Sequence, residues 1–332
     1  MSAETAICPP EWSPQAAVLV GWPRLPEEWG DAYDLVKLEI SGFVRALAQF
    51  TPVKLVTGDE TSADEAYTFL GDTADIVQVP MGDIWLRDTG PVIGQTASGQ
   101  WTGLSFAFNG WGGKYVMPGD AKTAGALCGV LGLRESRHGF TLEGGAVDLD
   151  GAGRLITTRS CVLNGNRNSG WTEDQAEAAL RAAFGVSSIT WFDDGLYGDH
   201  TDGHVDNIAR FVSENTVVCQ RPSGDDDPNA DVLVKIEEAL MAAGHETITV
   251  PSPGRICADD GTPLPASHMN FLITNGAVLL PVYEATYAAD AADALAKLFP
   301  EREILALPAR HILEGGGAFH CMTQQVPAGA LP

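Results

Sequence analysis

The chain has 332 residues, of which 45% are apolar and only 19% are charged, a composition typical of globular proteins with a large core. This length fits two ordinary domains or one large domain. With 20 Lys and Arg against 44 Asp and Glu, the net charge is −24, which argues against nucleic acid and anionic membrane surfaces as partners.

Short apolar runs alternate with amphipathic segments along the chain. In chain order, the runs predict strands at residues 16–22, 53–57, 76–79, 189–192, 247–250 and 304–307. Apolar residues spaced three or four apart predict helices at residues 32–49, 63–70, 121–131, 172–184, 230–243 and 286–298. Asp120, Thr172 and Asp227 stand where helix N-caps are useful. The alternation indicates an α/β fold.

A hairpin-like segment that opens with a polar cluster occurs five times, at residues 86–106, 142–158, 202–219, 267–282 and 315–327. In the first four, turn residues join two strand-like halves. The fifth lacks its second half, which the strand at 16–22 could supply by closing a ring. One polar marker from each segment recurs after 51 to 66 residues, namely Asp88, Glu143, His204, Asn270 and Cys321. This spacing predicts a repeated unit of two strands, a helix and a strand; an ordinary sheet with coincidental spacing is the alternative.

The six cysteines are scattered and form no Cys-x-x-Cys pair, which is typical of free thiols in a reducing cytoplasm. The first residues lack the basic and apolar parts of a secretory signal, and no apolar run is long enough for a membrane span. We therefore expect a cytoplasmic location. No Walker loop and no G-x-G-x-x-G motif follows a predicted strand, so no phosphate-bearing cofactor is expected.

In a closed ring, the openings of the five hairpins meet at one central mouth. A thiol beside an imidazole there, Cys321 with His204, can act as a nucleophile with its base. Paired carboxylates suit a planar guanidinium, which carries five N–H donors in a fixed fork. The apolar Val205 between His204 and Asp206 is typical of a strand, which would place the two polar side chains on one face. His320 is expected to point away from Cys321 along a strand and to be structural.

Each of these residues also has a structural interpretation. Cys321 could be a small buried apolar residue, His204 a core histidine, Asp88 the ion-pair partner of Arg87, and Glu143 a turn residue.

A different chemistry, a metal site, is suggested by residues 199–206, which are dense in ligand atoms. It would use His200, His204 and Asp206. The predicted strand would place His204 and Asp206 on one face but would leave His200 outside that face, so we expect no metal.

Several segments together resemble the family of agmatine deiminases and Porphyromonas-type peptidylarginine deiminases, within the guanidino-modifying superfamily. The matches run from one end of the chain to the other. They are Glu11-Trp12, Trp22-Pro23, residues 85–91 (WLRDTGP), 108–115 (FNGWGGKY), 143–145 (EGG), 163–168 (LNGNRN), 203–207 (GHVDN), 270–271 (NF) and 315–325 (GGGAFHCMTQQ).

The resemblance implies a single five-bladed, pseudo-symmetric α/β propeller over residues 1–332, built from ββαβ units around a central active site. It implies hydrolysis of a guanidine to a ureido group and ammonia, without metal or cofactor. By resemblance, Cys321 is the nucleophile, His204 the general acid and base, and Glu143 the partner that orients His204. Asp88 and Asp206 would hold the guanidinium. Three further residues are expected to bind substrate: Trp85, Trp111 and Asn270.

The first expected substrate is agmatine, converted through a covalent thiouronium on the cysteine to N-carbamoylputrescine in putrescine and polyamine biosynthesis. Peptidyl-arginine and free arginine are alternatives, as are a metal-dependent hydrolase and a non-catalytic propeller that binds guanidines. The chain departs from the family pattern in two places. The segment at residues 111–120 has fewer residues than in typical members, and at His200-Thr201-Asp202 the residue Asp202 adds a negative charge. The expected partner is a small cationic guanidino compound, and a homodimer is compatible with the sequence.

Overall fold

The computed structural model describes residues 3–331, which form five small β-sheets. The strands, in chain order, are β1 (Gln15–Gly21), β2 (Val53–Thr57), β3 (Asp75–Gln78), β4 (Val92–Gln95), β5 (Trp101–Ala107), β6 (Arg134–Thr141), β7 (Val147–Leu149), β8 (Arg154–Thr158), β9 (Ser188–Phe192), β10 (Ala209–Ser213), β11 (Thr216–Arg221), β12 (Glu246–Pro251), β13 (Leu272–Ile273), β14 (Ala277–Val282), β15 (Glu303–Pro308) and β16 (Thr323–Pro327).

Helices and helical turns connect these strands. They are α1 (Pro26–Trp29), α2 (Tyr33–Leu47), α3 (Glu60–Leu70), α4 (Leu86–Thr89), α5 (Gly110–Gly113), α6 (Asp120–Leu131), α7 (Arg159–Val162), α8 (Glu173–Phe184), α9 (Ala230–Ala242), α10 (Ala288–Leu298) and α11 (Arg310–Glu314). Within residues 3–331, no helix combines the length and the apolar character that crossing a membrane requires.

Four sheets repeat one arrangement, in the strand orders β4-β5-β6, β7-β8-β9, β10-β11-β12 and β13-β14-β15. In each, the first two strands pair antiparallel and the second and third pair parallel. A parallel pair needs a crossover connection, and α6, α8, α9 and α10 provide it. The predicted unit of two strands, a helix and a strand is therefore confirmed.

The fifth sheet joins the two ends of the described chain, in the order β16-β1-β2-β3. β1 pairs antiparallel with β16 and parallel with β2. The N-terminal strand thus supplies the strand that the fifth hairpin lacks, as the sequence predicts. The result is the expected five-bladed α/β propeller, with a fourth strand added to this blade.

The helices pack their apolar faces against the sheets. In α2, the spacing of Val36, Ile40, Phe43 and Leu47 places four side chains on one face, and all four are buried beside the strand residue Val18. Burying such a side chain stabilises the fold by about 1.5–3 kcal/mol. The spacing of apolar residues in the sequence therefore identifies the face of the helix that packs against the sheet.

One of the three predicted N-caps is confirmed. The Thr172 hydroxyl accepts a hydrogen bond from the Gln175 amide at 3.3 Å, and the Gln175 side chain accepts one from the Thr172 amide at 2.9 Å. The other two predictions are wrong. Asp120 is the first residue of α6, and its carboxylate accepts a hydrogen bond from the Gly82 amide. Asp227 lies two residues before Asn229, which is the N-cap residue of α9, and its carboxylate accepts a hydrogen bond from the Asn229 amide. In both cases the carboxylate satisfies a loop amide instead.

Replacing the confirmed cap residue by alanine should destabilise the protein. We expect Thr172→Ala to lower the free energy of unfolding by about 1 kcal/mol, because the amide of the first helical turn loses its acceptor. Urea denaturation measures the change. Thr172→Ser keeps the hydroxyl and should remain close to the parent, so an equal loss in both variants would contradict the capping explanation.

Candidate active site

Every blade contributes polar residues to one buried cluster at the start of its hairpin. They are Asp88, Glu143, His204, Asp206, Asn270 and Cys321, each at most 7% exposed. The structure therefore brings together the five markers of the repeat, together with Asp206.

The chain around His204 differs from the predicted strand. Val205–Asn207 form a 3-10 turn and β10 begins only at Ala209. The turn begins at Gly203, whose φ of 98° favours glycine. It is also held by the Thr201 hydroxyl, which accepts a hydrogen bond from the His204 amide at 3.0 Å. The strand prediction is wrong because these local contacts bend the chain before the sheet begins.

The thiol of Cys321 lies between an amide and a carboxylate. Its Sγ is 3.0 Å from Nδ2 of Asn270, which donates to it, and 3.5 Å from Oδ2 of Asp206. Oδ1 of Asn270 accepts a hydrogen bond from the Cys321 amide at 3.1 Å, so Asn270 orients both ends of the cysteine. Burial, and then the charges of Asp206 and Asp88, hold the pKa of the thiol well above its usual value. Without a cationic ligand, the thiol is therefore protonated at neutral pH.

The two aspartates near the thiol differ in how many of their carboxylate oxygens have hydrogen-bond partners. Oδ2 of Asp88 accepts from the Trp111 indole N–H at 2.9 Å and Oδ1 accepts from the Gly145 amide at 3.0 Å. Oδ2 of Asp206 lies 2.7 Å from Nδ1 of His320, but its Oδ1 is buried without a hydrogen-bond partner. Since an unsatisfied buried carboxylate oxygen costs free energy, the site is arranged for a donor that a ligand brings.

The environments shift the two carboxyl pKa values in opposite directions. Burial raises the pKa of Asp88, and the facing His204 only partly offsets it. Burial also acts to raise the pKa of Asp206, but the hydrogen bond and the charge of His320 outweigh it, so the pKa is lowered. Asp206 therefore stays ionised, which suits a cationic partner.

His204 lies between two carboxylates. Nδ1 is 3.6 Å from Oδ1 of Asp88, and Nε2 is 3.8 Å from Oε2 of Glu143. Burial acts to lower the pKa of His204, but the charge of Asp88 and the contacts with Cys161 and Glu143 outweigh it and raise the pKa well above its usual value. The ring is therefore an imidazolium at neutral pH and can donate a proton.

Glu143 is fixed by Arg167. Its Oε1 is 2.7 Å from Nε of the guanidinium, whose Nη1 in turn lies 2.7 Å from Oδ2 of Asp202. Lys114 also bonds Asp202 at 2.7 Å. The negative charge that the sequence places near the substrate tail is thus paired with two cations, and Asp202 contributes little free negative charge to the mouth.

His320 was missed as a site residue. The expectation that it points away along a strand is wrong, since it lies in the turn before β16 and contacts Asp206. Its Nε2 is 2.9 Å from Oε2 of Glu11, an oxygen that also pairs with Arg210 at 2.9 Å and Arg87 at 3.4 Å. Arg87 therefore pairs with Glu11 rather than with the neighbouring Asp88. The adjacency of His320 to the cysteine was the one signal that could have found it.

A cavity of about 200 Å³ leads to Cys321 and Asp88. It is lined by aromatic residues, Trp29, Trp85, Trp111 and Tyr115, by the acidic residues Glu28, Asp83 and Glu314, and by Met117, His200, Thr201, Gly315 and Gly316. Burial raises the pKa of Asp83 to about 6. Aromatic faces combined with carboxylates suit a cation with an apolar chain. The predicted residues Trp85 and Trp111 both line this space.

Trp111 reaches Asp88 because of an unusual turn. Its φ is 51°, and the neighbouring Gly110 and Gly112 also have positive φ values of 72° and 78°. The Asn109 side chain closes the turn by accepting a hydrogen bond from the Gly112 amide at 2.9 Å. The short glycine-rich segment thus aims the indole N–H at the carboxylate.

The alternative metal site does not form as the sequence suggested. In the described part of the chain, the one group of three candidate ligands is Glu143, Cys161 and His204. His200 is not in this group; it lies in the cavity wall, 5.7 Å from the Tyr115 ring between centroids.

Gly145 gives a steric test of the site. A Cβ at this position would lie 2.7 Å from Nδ1 of His204, 2.9 Å from Oδ1 of Asp88 and 3.1 Å from Oδ2 of Asp206. We therefore expect Gly145→Ala to reduce kcat/KM by about 100-fold or more, because all three groups must shift. Gly139→Ala, in a place where a Cβ meets nothing within 4 Å, is the matched control. Equal activity in both variants would contradict this geometry.

Comparisons with known proteins identify the family that shares this sequence and this fold. A model of the Porphyromonas-type peptidyl-arginine deiminase family matches residues 7–327. The agmatine deiminase of Ectopseudomonas mendocina is 32% identical over 96% of this chain and 95% of its own length. The solved agmatine deiminase of Enterococcus faecalis superposes with a TM-score of 0.91 at 27% identity, covering 97% of this chain and 96% of that chain. A C. jejuni agmatine deiminase with substrate bound gives 0.88 at 27% identity, with the same coverage.

Proposed function

Because the chain belongs to the Porphyromonas-type peptidyl-arginine deiminase family, we propose that it hydrolyses agmatine to N-carbamoylputrescine and ammonia. The observation that carries the proposal is the unpartnered Oδ1 of Asp206, the carboxylate whose Oδ2 lies 3.5 Å from Sγ of Cys321. A guanidinium is the planar cation whose N–H groups would satisfy that oxygen. The proposed reaction needs no cofactor.

Asp88 and Asp206 hold the guanidinium with its carbon facing the sulfur. Two carboxylates match the fixed fork of N–H donors and remove rotational freedom before the reaction. The aliphatic chain of agmatine then lies among the aromatic residues, including Trp85 and Trp111, and its ammonium end meets the acidic wall. The negative charge of the protein also favours approach of a dication.

The first half-reaction forms a covalent intermediate. The bound cation lowers the pKa of the Cys321 thiol, whose proton passes to solvent, and the resulting thiolate attacks the guanidinium carbon to give a tetrahedral adduct. His204, as imidazolium, donates its proton to one amino group, and the C–N bond breaks to release ammonia. A positively charged thiouronium remains on Cys321, and His204 is left neutral. Glu143 keeps the ring in place for this transfer.

The second half-reaction returns the enzyme to its starting state. Neutral His204 takes a proton from a water molecule, whose oxygen attacks the thiouronium carbon. Collapse of this second adduct breaks the C–S bond and releases the ureido product, and the proton of its hydroxyl group passes to the departing thiolate and restores the thiol. Asn270 supports the departing thiolate through its N–H, which already lies 3.0 Å from Sγ.

A substrate panel tests the proposal. Agmatine, free arginine, peptidyl-arginine and guanidines with shorter or longer amino chains are compared by measuring ammonia and ureido product. We expect agmatine to be preferred over arginine by about 100-fold or more, because the arginine carboxylate would face an acidic wall. No turnover of any guanidine would refute deimination, and a preference for peptidyl-arginine would replace agmatine as the substrate.

We also propose the finer assignments that the sequence suggests. Residues 1–332 form one propeller domain that acts in the cytoplasm, in agreement with six free cysteines. A carbamoylated diamine product fits a role in putrescine biosynthesis. A homodimer is the proposed assembly, and light scattering of the purified chain would decide between it and a monomer.

A further inference from the structure

A second thiol, unused by the proposed reaction, lies beside the catalytic histidine. Cys161, in α7, is 1% exposed, and its Sγ is 3.9 Å from Oε2 of Glu143. The same oxygen is 3.8 Å from Nε2 of His204. Cys161 does not line the cavity, whereas Nδ1 of His204 faces Asp88, which does. The thiol therefore lies on the side of the imidazole remote from the bound guanidine.

The three side chains offer one ligand atom each within a small volume. A carboxylate oxygen, a sulfur and a ring nitrogen all lie within 4.8 Å of one another. Zinc bonds of about 2.0–2.3 Å in a tetrahedron place ligand atoms roughly 3.3–3.8 Å apart, so a small contraction suffices. An independent observation points to a ligand here, because Nε2 of the fully buried His204 faces this group without a hydrogen bond and is still 3.8 Å from Oε2 of Glu143.

We propose that Glu143, Cys161 and His204 form an inhibitory Zn²⁺ site. A carboxylate, a thiolate and a neutral imidazole bring two negative charges, which balance the ion in a buried place. Mixed sulfur and nitrogen ligands select zinc over magnesium or calcium, which take oxygen ligands.

The nearby Arg167 does not oppose the ion by itself. Its guanidinium binds the other carboxylate oxygen of Glu143, Oε1, at 2.7 Å, so Oε2, which faces Cys161 and His204, stays available as a ligand. Binding replaces the proton of Cys161 and any proton on Nε2 of His204, and both are released to solvent. Three protein ligands leave one tetrahedral position for water.

The ion would stop the reaction through the histidine. Zinc on Nε2 replaces the imidazolium by a neutral ring whose Nδ1–H is a much weaker acid, so proton donation to the leaving ammonia is slowed, and Nδ1 cannot accept a proton from water. The ion also engages Glu143. Because Asp88 and Asp206 are not ligands, substrate still binds, and the effect falls on kcat rather than on KM. The inhibition rests on the proposed deiminase function, whereas zinc binding itself does not.

Direct binding is measured in a background without the thiol of Cys321, which could itself bind the metal. Calorimetry with Zn²⁺ and absorption with Co²⁺, whose thiolate complexes absorb in the near ultraviolet, are applied to Cys321→Ser. We expect one ion per chain with a sulfur band. Adding Cys161→Ser should remove both signals, whereas adding Cys257→Ser, which changes a partly exposed cysteine, should not. No binding to Cys321→Ser, or unchanged binding after Cys161→Ser, would overturn the proposal.

Activity provides the second arm. Zinc should lower kcat of the unmodified protein by about tenfold or more, and a chelator should restore it. Cys161→Ser and Cys161→Ala should lose this sensitivity, measured in each variant as the ratio of kcat with and without zinc. Inhibition that persists equally in both variants would overturn the inhibitory role. If agmatine were not a substrate, only this arm would fail, and the binding arm would still decide the metal site.

Discussion

Cys321→Ser should reduce agmatine turnover by about 10⁴-fold or more, because a serine hydroxyl cannot ionise near neutral pH to replace the thiolate. Agmatine should still bind, since Asp88, Asp206 and the aromatic wall remain. Ammonia release measures the first effect and calorimetry the second. The variant therefore separates chemistry from recognition.

Cys257→Ser is the matched control for this change, because Cys257 is a partly exposed cysteine that does not line the cavity. It should keep full activity. Turnover by Cys321→Ser within tenfold of the unmodified protein would remove this thiol from the mechanism. Loss of agmatine binding in Cys321→Ser would show instead that the sulfur contributes to recognition.

The second large effect is expected for Asp206→Asn, which should move two measurements in opposite directions. Turnover should fall by about 1,000-fold or more, because the guanidinium loses a charged acceptor. At the same time the thiol should become more reactive, since the carboxylate 3.5 Å from Sγ raises the pKa of Cys321. Removing that charge lowers the pKa and increases the thiolate fraction at any pH below it.

The rate of alkylation by iodoacetamide across a pH series measures this reactivity. Below the thiol pKa, the thiolate fraction should rise about tenfold for each unit by which the pKa falls, and the rate by about threefold, because the thiolate becomes less nucleophilic as its pKa falls. Asp290→Asn, an exposed change on α10, should alter neither activity nor alkylation. Slower alkylation of Asp206→Asn would show that the carboxylate acts by holding the thiol in place rather than through its charge.

The sequence could predict the ring because its evidence is local and repeated. Each helix carries its own apolar face, and the polar markers recur at similar steps, so the blades can be counted without knowing any contact between them. The closing pair β1 and β16 followed from the same count, since only one hairpin lacked a partner strand. The positions of Asp88, Glu143, Asn270 and Cys321 at the centre follow from this arrangement.

The electrostatics of the site could not be predicted in the same way. His320 was assigned to the wrong side because alternation along a strand assumes a strand, and the chain there forms a turn. Its partner Glu11 comes from the opposite end of the chain. Asp202 was counted as a free charge, although Arg167 and Lys114 pair with it. Such pairings depend on contacts between blades, which spacing does not encode.

The pairing of β1 with β16 also affects the order in which the protein can become active. During synthesis, the chain emerges with all the proposed carboxylates before the proposed nucleophile, which lies two residues before β16. Contacts between distant segments form slowly and late. The proposed nucleophile is therefore placed against the proposed carboxylates by the same event that closes the ring, and a nascent chain with an open ring does not hold the assembled site.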